Sequence, residues 1–191
     1  MPGDPSSVLY FDLASPYAYL AVARAAAVLP DPPELEPILV GAIFRWRGSG
    51  SWAHTPIRDM RVAEIEARAA RYGLPPLVWP ASWPANALAA MRAATWAREQ
   101  GRLEPFVAAV YRAEFARGED VADLSVLAAC AQEAGLDGAA LRAAIERPAI
   151  KEQLRAATTA AWEAGVRGVP TLIRAGVVYF GDDQLELAAV P

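Results

Sequence analysis

Near its N-terminus the sequence reads Val8-Leu9-Tyr10-Phe11-Asp12-Leu13-Ala14-Ser15-Pro16-Tyr17-Ala18-Tyr19-Leu20. Residues 8–13 are rich in β-branched and aromatic side chains and predict a strand. Ser15 is of a type that caps helices and Pro16 suits the first helical position, so a helix is expected to follow. Such a helix start directs free N–H groups and partial positive charge at whatever lies in front of it. The Ser15 hydroxyl is predicted to lie there, although helix capping alone would also explain this residue.

Length and composition favour one globular domain. The chain has 191 residues, enough to bury a sizeable core, and a net charge of −4 that is unfavourable for binding nucleic acid or an anionic membrane surface. Charges or prolines interrupt every apolar run, and no secretory signal is visible, so we expect a cytoplasmic protein. The single cysteine, Cys130, has no internal disulfide partner and is expected to be a small core residue.

The remaining chain divides into a β-rich start, a helical middle and a β-rich end. Residues 35–40 predict a second strand, and residues 41–54 predict a long functional loop that holds the only histidine, His54. Residues 56–165 are helical in pattern almost throughout. Two short strands are then predicted, at residues 168–174 and 177–180, before a terminal helix that Gly181-Asp182-Asp183 opens with an aspartate as its cap.

This order, βαβ, a helical block and ββα, predicts an α/β fold in which strands from both chain ends form one sheet. We therefore expect a single discontinuous domain formed by about residues 7–55 and 166–191, with an all-helical insertion at about 56–165. The order resembles the thioredoxin fold, and the insertion resembles the DsbA-like branch of that fold. The resemblance implies a cis peptide bond between Val169 and Pro170.

A redox protein of this fold needs a thiolate at the helix start, usually within Cys-x-x-Cys. The matching positions here read Ser15-Pro16-Tyr17-Ala18, so disulfide exchange by the chain itself is not expected. A serine hydroxyl and helix N–H groups could instead stabilise the thiolate of a bound ligand. A Ser-His hydrolase is disfavoured, because His54 is the only histidine and no His–Asp pair is evident.

Five segments together resemble the 2-hydroxychromene-2-carboxylate isomerase family, relatives of the kappa-class glutathione transferases. They span essentially the whole chain and occur in the family's order: Phe11-Asp12-Leu13-Ala14-Ser15-Pro16-Tyr17, Leu39-Val40-Gly41-Ala42-Ile43-Phe44-Arg45, Arg71-Tyr72-Gly73-Leu74-Pro75, Gly168-Val169-Pro170-Thr171 and Phe180-Gly181-Asp182-Asp183. The resemblance implies glutathione as cofactor, a role in the degradation of aromatic compounds and a homodimer.

By position, the resemblance assigns Ser15 to the glutathione sulfur, as the catalytic residue, and the backbone of Val169 to the cysteinyl part. The loop that would hold the γ-glutamyl end comprises Phe180, Gly181, Asp182 and Asp183. The chemistry of the γ-glutamyl end fits this assignment. Its amino group would pair with an aspartate carboxylate, and its own carboxylate would be stabilised by a helix N-terminus. Simple helix capping is the alternative explanation of the two aspartates.

The second substrate would meet residues that depart from the family pattern. Arg45 replaces the usual lysine, Ser49 the usual asparagine and Trp83 the usual tyrosine. Arginine keeps the positive charge but changes its geometry. The tryptophans nearby are Trp46, Trp52 and Trp79, and they are consistent either with core packing or with a flat aromatic substrate whose carboxylate faces Arg45.

The sequence therefore predicts a glutathione-dependent cis-trans isomerase acting on 2-hydroxychromene-2-carboxylate or a similar aromatic carboxylate. Neither a metal nor a nucleic-acid or membrane partner is expected. Two alternatives stay open: a kappa-like glutathione transferase, and a non-catalytic thiol-binding module that kept the fold and lost turnover.

Overall fold

A four-stranded mixed sheet forms the centre of the fold in the computed structural model, which describes residues 7–190. Its strands are β1 (Val8–Phe11), β2 (Glu34–Pro37), β3 (Thr171–Arg174) and β4 (Val177–Phe180), in the spatial order β2-β1-β3-β4. β1 pairs with β2 in parallel and with β3 antiparallel, and β3 pairs antiparallel with β4. The two chain ends thus build one sheet, as the sequence predicts.

Helices fill the space between and around the strands. In chain order they are α1 (Pro16–Val28), α2 (Val40–Arg47), α3 (Arg58–Arg71), α4 (Leu88–Glu99), α5 (Leu103–Arg117), α6 (Leu124–Glu133), α7 (Leu141–Ala144), α8 (Pro148–Glu163) and α9 (Leu185–Ala188). Two 3-10 turns lie at Trp52–His54 and Asp182–Gln184. The thioredoxin-like fold with a large helical insertion is therefore confirmed, with α2 to α8 between the second and third strands.

The core is continuous from the sheet into the inserted helices. Leu9 and Phe11 are buried on β1, and small residues of α1, including Ala18, Ala21 and Ala25, are buried as well. Alanine lets a helix approach its neighbours closely, which explains how an alanine-rich sequence still forms a dense core. Burial is most extensive on α4 and α5, where seven and nine residues are buried.

The predicted loop at residues 41–54 is wrong over its first half, where α2 forms, and β2 ends at Pro37 instead of extending to Val40. The start of α2 is stabilised from distant parts of the chain. The Val40 N–H donates to the Asp12 carboxylate at 3.0 Å, and the Leu39 N–H donates to the Thr158 hydroxyl at 3.1 Å. Because Leu39 itself supplies no side-chain cap, no local sequence signal marks this helix start.

The predicted terminal helix is also corrected. The segment after Gly181 forms a single 3-10 turn followed by the one-turn helix α9, and neither has a side-chain cap. The Asp182 side chain is fully buried and faces Arg68 and Tyr72 instead of capping the turn. An ion pair with the insertion has thus replaced the expected cap.

The Val169–Pro170 peptide bond is cis, as the resemblance implies. A second cis bond, between Trp83 and Pro84, was not predicted. Both bonds lie in segments that line the cavity described below. Within residues 7–190 no helix is both long and apolar enough to span a membrane.

Candidate functional site

A cavity of ≈ 760 Å³ opens where the loops after β1 and β4 and the loop before β3 converge. Its walls are completed by α2, by the turn around Trp52 and by the segment that leads into α4. Of the nine residues predicted for the site, eight line this cavity: Ser15, Arg45, Trp83, Val169, Phe180, Gly181, Asp182 and Asp183. A volume of this size is typical of a small-molecule site.

Ser15 is the N-cap of α1, with extended backbone angles and a hydroxyl oxygen that accepts the Ala18 N–H at 3.2 Å. The predicted cap and the predicted Pro16 helix start are both confirmed. Among the described residues the Ser15 O–H finds no acceptor. The hydroxyl can therefore donate its hydrogen into the cavity while its oxygen holds the helix start.

Val169 lines the same cavity as Ser15, from the loop before β3. Neither its N–H nor its C=O makes a hydrogen bond within residues 7–190, so both can pair with an extended ligand. The loop is held in place because the Gly181 N–H donates to the Pro170 carbonyl at 3.1 Å and the Thr171 hydroxyl donates to the Gly168 carbonyl at 2.8 Å. A rigid loop with a free backbone pair is the arrangement that strand-like ligand binding requires.

The two aspartates after β4 have different surroundings. Asp182 is 0% exposed, and its carboxylate accepts from Arg68 at 2.8 Å and from the Tyr72 hydroxyl at 2.9 Å. Burial raises its pKa, and these two partners oppose that shift. The Asp183 side chain is 48% exposed and 3.3 Å from Arg68. Asp183 is thus the carboxylate available to a ligand, whereas Asp182 ties the loop to α3.

Asp12 is a buried carboxylate of the cavity that the sequence did not single out. Its two oxygens accept the Ala14 N–H at 3.1 Å and the Val40 N–H at 3.0 Å, so it joins the loop before Ser15 to the start of α2. Burial raises the pKa of Asp12 to about 6, although the two N–H bonds lower it. The position of Asp12, directly after a buried strand, was the sequence signal that could have identified it as a site residue.

One wall of the cavity is aromatic and basic. Trp83 is 5% exposed and packs 5.5 Å from Trp52, measured between ring centroids, and Trp52 in turn packs 5.9 Å from Tyr17. Arg45 is exposed on α2 and has no ion-pair partner among residues 7–190. Trp52 and Trp83 thus contribute both to packing and to the cavity lining.

Ser49 is the predicted residue that the structure does not bring to the cavity. It follows the C-terminus of α2, and its hydroxyl accepts from the Arg47 guanidinium at 2.9 Å. Trp79 also lies outside the cavity and donates to Glu66 at 2.8 Å. Further polar residues line the cavity without having been predicted for it: Arg47, Ser51, His54, Arg61, Arg68 and Asn86. Arg47 lies on α2, and Arg61 and Arg68 lie on α3, two helices whose placement over the cavity no local pattern reveals.

The site contains no nucleophile of the usual kinds. Ser15 and His54 do not hydrogen-bond to each other, which leaves Ser15 without a general base. Cys130 is buried on α6, outside the cavity, and burial raises the pKa of its thiol to about 11. Cys130 is thus a core residue, as expected. In the part of the chain from residue 7 to 190, no three or more histidine, cysteine or acidic side chains are grouped as a metal site would need.

Comparison with known proteins defines the class first. The model of the DSBA-like thioredoxin domain family matches residues 8–189, so the chain belongs to that family. A solved structure of a probable DsbA oxidoreductase from Streptomyces coelicolor superposes with a TM-score of 0.70, at 22% identity over 96% of this chain and 87% of that one. At this level of identity the likeness shows the fold alone.

The branch of the class follows from a more similar relative. The 2-hydroxychromene-2-carboxylate isomerase of Sphingobium xenophagum is 31% identical over 93% of this chain and 92% of that protein. A solved structure of a 2-hydroxychromene-2-carboxylate isomerase superposes with a TM-score of 0.86, at 24% identity over 95% of this chain and 91% of that one. The chain is therefore a member of the 2-hydroxychromene-2-carboxylate isomerase family.

Proposed function

We propose that the protein is a glutathione-dependent cis-trans isomerase of 2-hydroxychromene-2-carboxylate or a similar aromatic carboxylate. The observation that carries the proposal is the free Ser15 O–H at the N-terminus of α1, directed at a cavity that contains no thiol of the chain itself. A site built to stabilise a thiolate but lacking one fits a thiol that arrives with a ligand. Membership in the isomerase family supports the reaction class.

The residues present fit glutathione. The Ser15 hydroxyl and the first N–H groups of α1 would lower the pKa of its thiol by hydrogen bonding and by the helix dipole. The unpaired N–H and C=O of Val169 would bind its cysteinyl backbone, and Asp183, beside Phe180 and Gly181, would receive its amino group. When bound, glutathione supplies a nucleophilic thiolate whose reversible addition to a conjugated double bond permits rotation about that bond.

The remaining wall supports an aromatic carboxylate as the second substrate. Arg45, free of an acidic partner within the described residues, would pair with the carboxylate, and Trp52 and Trp83 would pack against the planar part. These contacts orient the substrate beside the thiol and exclude water from the reacting bond. The proposal includes the degradation of aromatic compounds as the setting, a cytoplasmic location and a homodimer, all implied by the family resemblance alone.

The test combines binding with turnover. Millimolar glutathione is expected to raise the thermal unfolding temperature, and catalytic glutathione is expected to convert 2-hydroxychromene-2-carboxylate to its open-chain isomer without being consumed. S-methylglutathione is the matched control, because it keeps the binding groups but has no thiol; it should stabilise the protein and support no turnover. The absence of any stabilisation by glutathione would contradict the proposal.

The alternatives give different results in the same assays. A product that retains glutathione, with stoichiometric loss of the free thiol, would indicate a kappa-like glutathione transferase. Stabilisation by glutathione without turnover of the chromene or of electrophilic substrates would indicate a thiol-binding module.

A further inference from the structure

A second cavity of ≈ 410 Å³ lies between α2, α4 and α8. Four of its lining residues, Leu39, Ala42, Arg45 and Leu88, also line the principal cavity, so the two cavities share a wall. Its apolar lining includes Trp46 and Leu154, and Trp46 is 47% exposed. The shape is that of a small side chamber beside the proposed active site.

The side chamber is strongly basic. Its charged lining residues are all cations: Arg45, Arg92, Lys151 and Arg155. Two glutamates that do not line the chamber form ion pairs with three of these cations. Glu146 serves both Lys151, at 2.6 Å, and Arg92, at 3.4 Å, and Glu152 serves Arg155 at 2.6 Å. Four cations therefore meet two carboxylates, in a protein whose net charge is −4.

The excess positive charge is also accessible. The Glu146 side chain is 61% exposed, so its attraction for the two cations is screened by water and easily replaced. Arg45 has no ion-pair partner among residues 7–190 and borders both cavities. A chamber that combines cations with apolar walls should bind an organic anion with an apolar group more tightly than an inorganic anion.

We propose that this side chamber is a second binding site, one for a small aromatic carboxylate. The carboxylate would lie among Arg45, Arg92 and Lys151, and the ring would pack against Trp46 and Leu88. Because one guanidinium forms a bidentate pair with only one carboxylate at a time, Arg45 couples the two cavities. A ligand in the side chamber withdraws Arg45 from a carboxylate in the principal cavity.

The binding test uses 2-hydroxybenzoate as the probe and calorimetric titration as the readout. The double variant Arg92→Gln with Lys151→Gln is expected to raise the dissociation constant at least tenfold. Arg112→Gln is the matched control, because Arg112 is an exposed, ion-paired arginine of α5 that lines neither cavity. It should bind the probe as the wild type does. Glutathione should stabilise all three proteins equally, which shows that folding and the principal cavity are intact.

Two results would overturn the site. Unchanged affinity of the double variant for 2-hydroxybenzoate would place the probe elsewhere. Equal displacement of the probe by inorganic phosphate at the same concentration would show a general anion site without selectivity for the aromatic body.

The coupling through Arg45 rests on the proposed function and has its own readout. Added 2-hydroxybenzoate should raise the KM for the carboxylate substrate in the wild type and have at least tenfold less effect in the double variant. An equal effect in both proteins would contradict the coupling. Loss of the proposed activity in every protein would leave the calorimetric result standing, so the two failures are distinguishable.

Discussion

Ser15 shows how one residue takes on two tasks at once. Its oxygen accepts the Ala18 N–H and holds the first turn of α1, while its hydrogen stays free for the cavity. An aspartate cap would hold the helix equally well but would repel a thiolate, and a cysteine would itself be oxidised or alkylated. Serine is the cap that leaves a neutral donor for a sulfur anion.

The substitution Ser15→Ala is expected to lower kcat for isomerisation about 100-fold or more, because the glutathione thiolate loses the hydrogen bond from the Ser15 hydroxyl. The lost cap should reduce the free energy of unfolding by only about 1 kcal/mol. Asp123→Ala is the matched control, since Asp123 caps α6 through the Ser125 N–H and lies outside the cavity. It should lose a similar stability with an unchanged kcat. Equal kcat in Ser15→Ala and wild type would contradict the role of the hydroxyl.

Asp12 gives a prediction on pH. In the folded protein its pKa is raised from 3.8 to about 6 by burial, so the folded state binds its proton more tightly than the unfolded chain. Proton binding by Asp12 therefore stabilises the folded state fully below about pH 4. This stabilisation, about 3 kcal/mol in total, is lost as the pH rises through about 6. Two side chains of α5, Tyr111 and Glu114, lie near Asp12. Burial raises the pKa of each well above its usual value, and the charge of Asp12 raises it further.

The substitution Asp12→Asn should remove most of this pH dependence. Urea unfolding at pH 4 and at pH 7 is expected to show a wild-type stability that falls relative to the variant by about 2 kcal/mol between the two pH values. Asp31→Asn, at an exposed position, should leave the wild-type profile unchanged. A parallel pH profile of wild type and Asp12→Asn would refute the buried titration.

At the scale of elements, the turn after β4 depends on Gly181. Its φ of 116° and ψ of 155° lie in a region that only glycine adopts readily, and a Cβ built there would come 2.6 Å from the Asp183 carboxylate oxygen. The turn therefore owes both its backbone shape and the position of Asp183 to a missing side chain.

Gly181→Ala is expected to destabilise the protein by about 2–3 kcal/mol, from backbone strain and from the contact with Asp183. Gly176→Ala is the comparison, because Gly176 has a φ of 75° and open space around its Cβ position; about 1 kcal/mol is expected there. Chemical denaturation of both variants measures the difference. Equal losses would mean that Asp183 moves aside freely.

At the scale of the whole molecule, Arg68 joins the inserted helices to the C-terminal segment. From α3 it reaches Glu64 on its own helix and both Asp182 and Asp183 after β4. Burial lowers the pKa of Arg68, but the carboxylates of Asp182, Asp183 and Glu64 raise it above its usual value. The insertion and the sheet-bearing part thus share a charged contact at the cavity wall.

Arg68→Gln is expected to reduce the free energy of unfolding by about 2–3 kcal/mol, because it leaves the Asp182 carboxylate buried with only Tyr72 as a partner. Asp182→Asn should also destabilise, and the double variant should lose clearly less than the two single losses combined. A double-mutant cycle by urea unfolding measures this coupling. Strictly additive losses would show that the two side chains do not depend on each other.

The sequence by itself determined the elements whose signals are local. The strand that begins at Val8, the cap at Ser15 and the helix start at Pro16 follow from β propensity and capping chemistry. The pairing of the two chain ends was inferred from the order of the predicted elements. Eight of the nine residues that the family resemblance predicts for the site line the cavity.

Only the tertiary structure decided the features that depend on distant partners. The start of α2 is held by Asp12 and Thr158, and Asp182 is turned inward by Arg68 and Tyr72, each from a segment far away in the sequence. A buried N–H or carboxylate must find a partner, and the fold supplies one wherever the chain passes. Local sequence patterns cannot predict such partners, because these interactions form only when distant segments of the chain pack together.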